Sequence, residues 1–162
     1  MVLRRYIPQP WSRHMPTRMR TGATCFDARG LADVLTALNE AGMDLHIHTV
    51  GERSSRTVLD GVELARKELG DSFRVKVTCA HLEIQDDADM DRFAKLGVIA
   101  NFTPYWHAGD PKISSSWLGE ERSKKMFRCR TIWDSGALLT KTENRLTYDI
   151  DKITAGIYGQ AG

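Results

Sequence analysis

Two stretches of this chain close a short apolar strand pattern on a histidine and then turn into a helix pattern. The first is residues 43–52, Met-Asp-Leu-His-Ile-His-Thr-Val-Gly-Glu. Side chains two apart on a strand point the same way, so His46 and His48 share one face and Leu45, Ile47 and Thr49 the other. Past Gly51, the residues Val58, Leu59, Val62, Leu64, Ala65 and Leu69 recur at helical spacing. About thirty residues on, Val75-Lys76-Val77-Thr78-Cys79-Ala80 runs into His81, again followed by a loop and a helix pattern. Two successive strand–helix units with equivalent terminal histidines narrow the fold to parallel α/β architectures.

The flanking sequence extends the same rhythm. Asp27 suits the N-cap of a helix through Leu31, Val34, Leu35 and Leu38, and Gly42 suits its C-terminal cap. The spacing then predicts a strand over 43–49, a helix over 54–69 and a strand over 74–80. Asp86 or Asp87 caps a helix running to Leu96, Gly97 ends it, and Val98–Thr103 forms the next strand. Residues 104–119, with Pro104, Gly109, Pro111 and a serine triplet, read as a long loop. A helix over 120–134 leads through Ser135-Gly136 to a last short strand, Ala137–Thr140. Residues 1–24 and 141–162 read as irregular segments flanking one domain, 25–140. Four strands alternating with helices fit an open doubly wound sheet or an arc of a (β/α)8 barrel. Length by itself favours the open sheet, because a complete barrel takes about 250 residues.

Composition removes several functional classes. A formal charge of +2 over 162 residues is too small to argue for nucleic acid or an anionic membrane surface. No apolar run approaches the ~20 residues that span a bilayer. The N-terminal stretch has arginines but no apolar core of a secretory signal. Cys25, Cys79 and Cys129 are odd in number and widely spaced, which reads as reduced thiols in the cytoplasm. Cys79, on a buried strand, reads as a packing residue.

The chemistry concentrates at the strand ends. In α/β folds ligands bind at the carboxyl ends of parallel strands, which lie ~4.8 Å apart. If the two strands pair, His48 and His81 can reach one divalent cation such as zinc, whose bonds to histidine nitrogen are ~2.0–2.1 Å. A catalytic zinc takes three protein ligands as a rule, so two histidines leave a third to be found. Three readings fit: a metal-dependent enzyme, a non-catalytic α/β half-barrel that self-associates through unpaired strand edges, and an open-sheet binding domain with structural histidines.

At these residues the chain resembles a family. His48-Thr49-Val50-Gly51-Glu52-Arg53 is similar to the His-Ala-Ile-Gly-Asp-Arg motif of the amidohydrolase superfamily, in its YtcJ-like branch, amidohydrolase family 3. Ala80-His81-Leu82-Glu83, and Asp91 through Phe102, resemble that branch's Glu-His segment and the Arg-Phe-Ala-Glu-Leu-Gly-Val-Ile-Ala-Asn run that follows it. Thr103-Pro104-Tyr105-Trp106 is similar to its next strand end, and Trp133–Ala137 to the segment before its last strand. The resemblance covers roughly residues 22–140. It implies a partial (β/α)8 barrel, about strands five to eight. It also implies hydrolysis of non-peptide C–N bonds in a small amide-type substrate by a metal-activated water, with zinc as the expected metal. His48 and His81 become the metal ligands on strands five and six, and His46 sits one layer deeper. Trp106, with Tyr105, would wall the pocket, and His107 would touch substrate.

The departures bear on activity. The family's His-x-His strand and its bridging ligand on a middle strand have no counterpart here. The chain therefore reads as the C-terminal part of the barrel, with at most weak activity alone. The family's last strand ends in an Asp about eight residues after a glycine, and the count from Gly136 falls on Asn144. Asparagine is neutral and cannot take a proton from water as a carboxylate does; Glu143, one residue earlier, is the substitute. Glu52 stands where the family has Asp, and is favoured by the positive end of the following helix. Ala80 replaces the Glu that precedes the second histidine.

Overall fold

The computed structural model of the chain describes residues 24–104, 115–116 and 118–141. Helix α1, Ala28–Ala41, begins where the Asp27 carboxylate accepts from the Gly30 amide at 2.7 Å. It ends at Gly42, whose left-handed conformation (φ 65°) lets the chain reverse into a strand. Strand β1 is Leu45–Thr49, followed by helix α2, Glu52–Leu69, and strand β2, Val77–His81. Asp86 caps a 3-10 turn, Asp87–Asp89, that leads into helix α3, Met90–Lys95, and strand β3 is Ile99–Phe102. Two short helices, α4 (Glu120–Ser123) and α5 (Cys129–Asp134), precede strand β4, Leu139–Lys141.

The four strands pair in parallel in the order β1-β2-β3-β4. Every crossover carries helix, so the chain builds one arc of parallel sheet with strand ends of like polarity side by side. The apolar residues of β1 and β2, Leu45, Ile47, Val77 and Cys79, are buried, as are Leu31 and Leu35 of α1 and Val58, Leu59 and Val62 of α2. Gly61 of α2 lies against Leu31, close enough that an added Cβ would stand 2.9 Å from Leu31 Cδ2. Asp89, its side chain 1% exposed, accepts from Arg56 Nε at 2.6 Å and Arg92 Nη1 at 3.0 Å, tying α2 to α3.

Three expectations change. The helix expected over 120–134 is split, because the intervening residues satisfy the loop after β2 instead. Met126 bridges to Ile84, and the Phe127 amide donates to the Glu83 carbonyl at 2.7 Å with Phe127 at φ 53°. The last strand lies over 139–141 rather than 137–140; Ala137 is buried and Leu138 exposed ahead of it. Helix α2 starts at Glu52, two residues earlier than its apolar spacing predicts, because Ser54 and Gly51 cap one another.

Candidate metal centre

The strand register sets up the site and would, taken alone, keep its two histidines apart. His48 pairs with Ala80, and Thr49 pairs with His81. Paired residues of neighbouring strands share a face, and Thr49 is fully buried on the apolar face. Strict alternation would therefore turn His81 away from His48. The backbone breaks the alternation: His81 and Leu82 both have positive φ, 81° and 48°. Left-handed backbone in residues other than glycine is uncommon and costs of the order of 1–3 kcal/mol, held only where surrounding bonds fix it. Those bonds come from β1. The Leu82 amide donates to the Thr49 carbonyl at 3.1 Å, the Ile84 amide to the Val50 carbonyl at 3.2 Å, and the Thr49 hydroxyl to the Ala80 carbonyl at 3.1 Å.

The outcome is an imidazole pair. The rings of His48 and His81 stack with centroids 4.6 Å apart and planes inclined by 29°. His48 Nδ1 and His81 Nε2 face each other in direct contact. The other nitrogen of His81, Nδ1, lies 2.9 Å from the hydroxyl of Thr103, the residue after β3. Burial, followed by the neighbouring imidazoles of His48 and then His46, pushes the His81 pKa down to about 4. At neutral pH the ring is uncharged, the form in which a histidine nitrogen can hold a cation. The donor set has the chemistry to hold a divalent cation: two imidazole nitrogens facing each other, with the far nitrogen of one ring engaged by a hydroxyl.

Around this pair the remaining expectations sort out. His46 is on the same face as His48 but exposed. Glu52 opens α2 and pairs with Arg122 of α4 at 2.5 Å, while Lys125, just beyond α4, reaches Asp87 at 2.7 Å. Helix α4 and the residue after it are thus tied back to the start of α2 and to the 3-10 turn before α3, and Glu52 serves that tie. Cys79 is fully buried and burial lifts its thiol to about 12, so it packs rather than reacts. Among the described residues, no group of three or more His, Cys, Asp and Glu side chains comes together as a metal site. Trp106 and His107, with Tyr105, and Glu143 and Asn144 lie outside the described residues.

Two features of the site were not read from the sequence. The left-handed turn at His81 has only a faint signal, the enrichment of histidine in that region of backbone space. Thr103 was accessible in principle, since it follows a strand whose carboxyl end adjoins that of β2.

Comparison with known proteins identifies the family and the fold. A model of the amidohydrolase family matches residues 7–142. The putative amidohydrolase YtcJ of Bacillus subtilis (strain 168) is 24% identical over 117 residues, which are 72% of this chain and 21% of that protein. The N-substituted formamide deformylase of Arthrobacter pascens is 24% identical over 124 residues, 76% of this chain and 22% of the enzyme. The crystal structure of an uncharacterized metal-dependent hydrolase from Pyrococcus furiosus superposes with a TM-score of 0.64 at 21% identity, covering 76% of this chain and 24% of that one. The chain therefore spans about a fifth to a quarter of the length of the relatives it matches. Its four parallel strands and intervening helices are part of an α/β barrel. With most of its length inside the family's pattern, the chain belongs to the amidohydrolase family.

Proposed function

We propose that this chain supplies His48 and His81 as two ligands of a zinc-type divalent site in a hydrolase of amide-like, non-peptide C–N bonds. The single observation that carries the reading is the contact of His48 Nδ1 with His81 Nε2 across two paired strand ends. When bound, a divalent cation supplies Lewis acidity, polarising an amide carbonyl and bringing the pKa of water toward ~7. The chain's own part is to hold two neutral imidazoles in register. The Glu52–Arg122 ion pair holds α4 against the start of α2, the helix that follows the His48 strand. The relative that deformylates N-substituted formamides supports a small amide-type substrate, and Glu143, beside Asn144 at the position of the family's Asp, is the proposed proton-handling group. Trp106 and His107 are the proposed substrate contacts. Buried, protonated Cys79 and Cys129 suit the reducing cytoplasm.

Two ligands make a weak site, since a catalytic zinc rests on three as a rule. The test is to purify the chain without chelator and measure bound metal by mass spectrometry, alongside His48→Ala and His81→Ala. Hydrolysis of N-substituted formamides is then followed with and without added zinc. The expected result is zinc retained by the wild-type chain, lost in both variants, with slow zinc-dependent turnover at most. Equal metal content in all three proteins would overturn the reading.

A further inference from the structure

We propose that Thr103 is a positioning residue for the histidine pair: its hydroxyl oxygen accepts the Nδ1 proton of His81 and so leaves the Nε2 lone pair facing His48. The inference deepens the metal-holding reading above and rests on it. Three observations on three strands bear on it. First, the Thr103 hydroxyl stands 2.9 Å from His81 Nδ1, while His81 Nε2 contacts His48 Nδ1, so both nitrogens of this ring are engaged. Second, Thr103 follows Phe102, the register partner of His81, which puts its hydroxyl at the strand end next to the ring. Third, the left-handed backbone at His81 and Leu82, clamped by the Thr49 hydroxyl and carbonyl, is what swings the imidazole between those two partners.

Proton bookkeeping leaves two arrangements. A neutral imidazole has one donor and one acceptor nitrogen, and a hydroxyl can be either. In the first, His81 donates from Nδ1 to Thr103, and its bare Nε2 accepts a proton from His48 Nδ1. In the second, Thr103 donates to Nδ1, and the His81 proton sits on Nε2, between the rings. Only the first presents a ready lone pair on His81. Uptake of a cation then requires the His48 proton to move from Nδ1 to Nε2, with no net change in protonation. His48 is half-buried, so water can carry that proton. Ligands fixed in this way by an outer hydrogen bond typically lose 10–100-fold in metal affinity when the outer partner is removed.

The test uses the 162-residue chain with Thr103→Val, which keeps the shape and removes the hydroxyl, and Thr103→Ser, which keeps the hydroxyl. The first readout is the ¹⁵N spectrum of the His81 ring in metal-free protein, which reports which nitrogen holds the proton. The wild-type chain and Thr103→Ser are expected to show the Nδ1–H tautomer, and Thr103→Val to lose that preference. The second is zinc affinity by competition with a chromophoric chelator, expected to fall about 10–100-fold in Thr103→Val and to return in Thr103→Ser. An Nε2–H tautomer in the wild-type chain, or a Thr103→Val chain with unaltered tautomer, overturns the assignment of Thr103. A wild-type chain with the expected tautomer and no zinc affinity supports that assignment and overturns the metal-holding reading instead.

Discussion

His81 carries more of this account than any other residue, and its sequence position discloses only part of why. That it ends a strand beside a second histidine-ended strand follows from apolar spacing. That its ring meets His48 does not, because the register assigns it to the opposite face and a left-handed backbone reverses the assignment. The same residue yields a pH prediction for the metal-free protein. The unfolded imidazole titrates near 6.5 and the folded one at about 4. Between those values the unfolded chain binds the extra proton, so stability falls as pH drops from 6.5 toward 4 and is level above that window. Urea unfolding at pH 7 and pH 5 should show a larger loss for wild type than for His81→Gln. Equal losses would contradict a buried, neutral His81. Cys79 is the opposite case, a residue whose role was legible: a thiol on an apolar strand is buried and inert.

Among the elements, helices α1 and α2 were readable from spacing and caps, with Asp27 and Gly42 both where local chemistry puts them. The region 120–134 was not, because its break is decided by partners distant in sequence. Glu83 takes the Phe127 amide and Ile84 bridges Met126, bonds that no helical periodicity can announce. The contact of α1 with α2 gives a prediction at this scale. Alanine at position 61 would gain up to about 1 kcal/mol of helix propensity over glycine. Its methyl, however, would press on Leu31 within 3.0 Å of that residue's Cβ, an atom with little room to withdraw. Overpacking of this kind costs about 1–3 kcal/mol, so Gly61→Ala should lower the urea midpoint, with a net loss of about 1 kcal/mol. An unchanged or raised midpoint would mean that the two helices can slide apart at no cost.

For the whole molecule, parallel βα order was written in the alternation of glycine-ended helices and short apolar strands, whereas barrel against open sheet was not. Length by itself pointed to the open sheet; the histidine motifs pointed to the barrel, and the fold comparisons agree with the motifs. Among the described residues, β1 pairs on one side only, and Met43, Trp133 and Leu138 expose apolar surface. Unpaired strand edges and exposed apolar side chains favour association. Light scattering should therefore give a mass that rises above 18.3 kDa with concentration, and a constant 18.3 kDa would contradict this. The proposed function stands on two imidazoles sharing a single ion, and zinc-edge X-ray absorption of the loaded chain addresses that most directly. The predicted spectrum has two histidine nitrogens at about 2.0–2.1 Å, reduced to one in His48→Ala and likewise in His81→Ala. A zinc environment identical in all three proteins would contradict it.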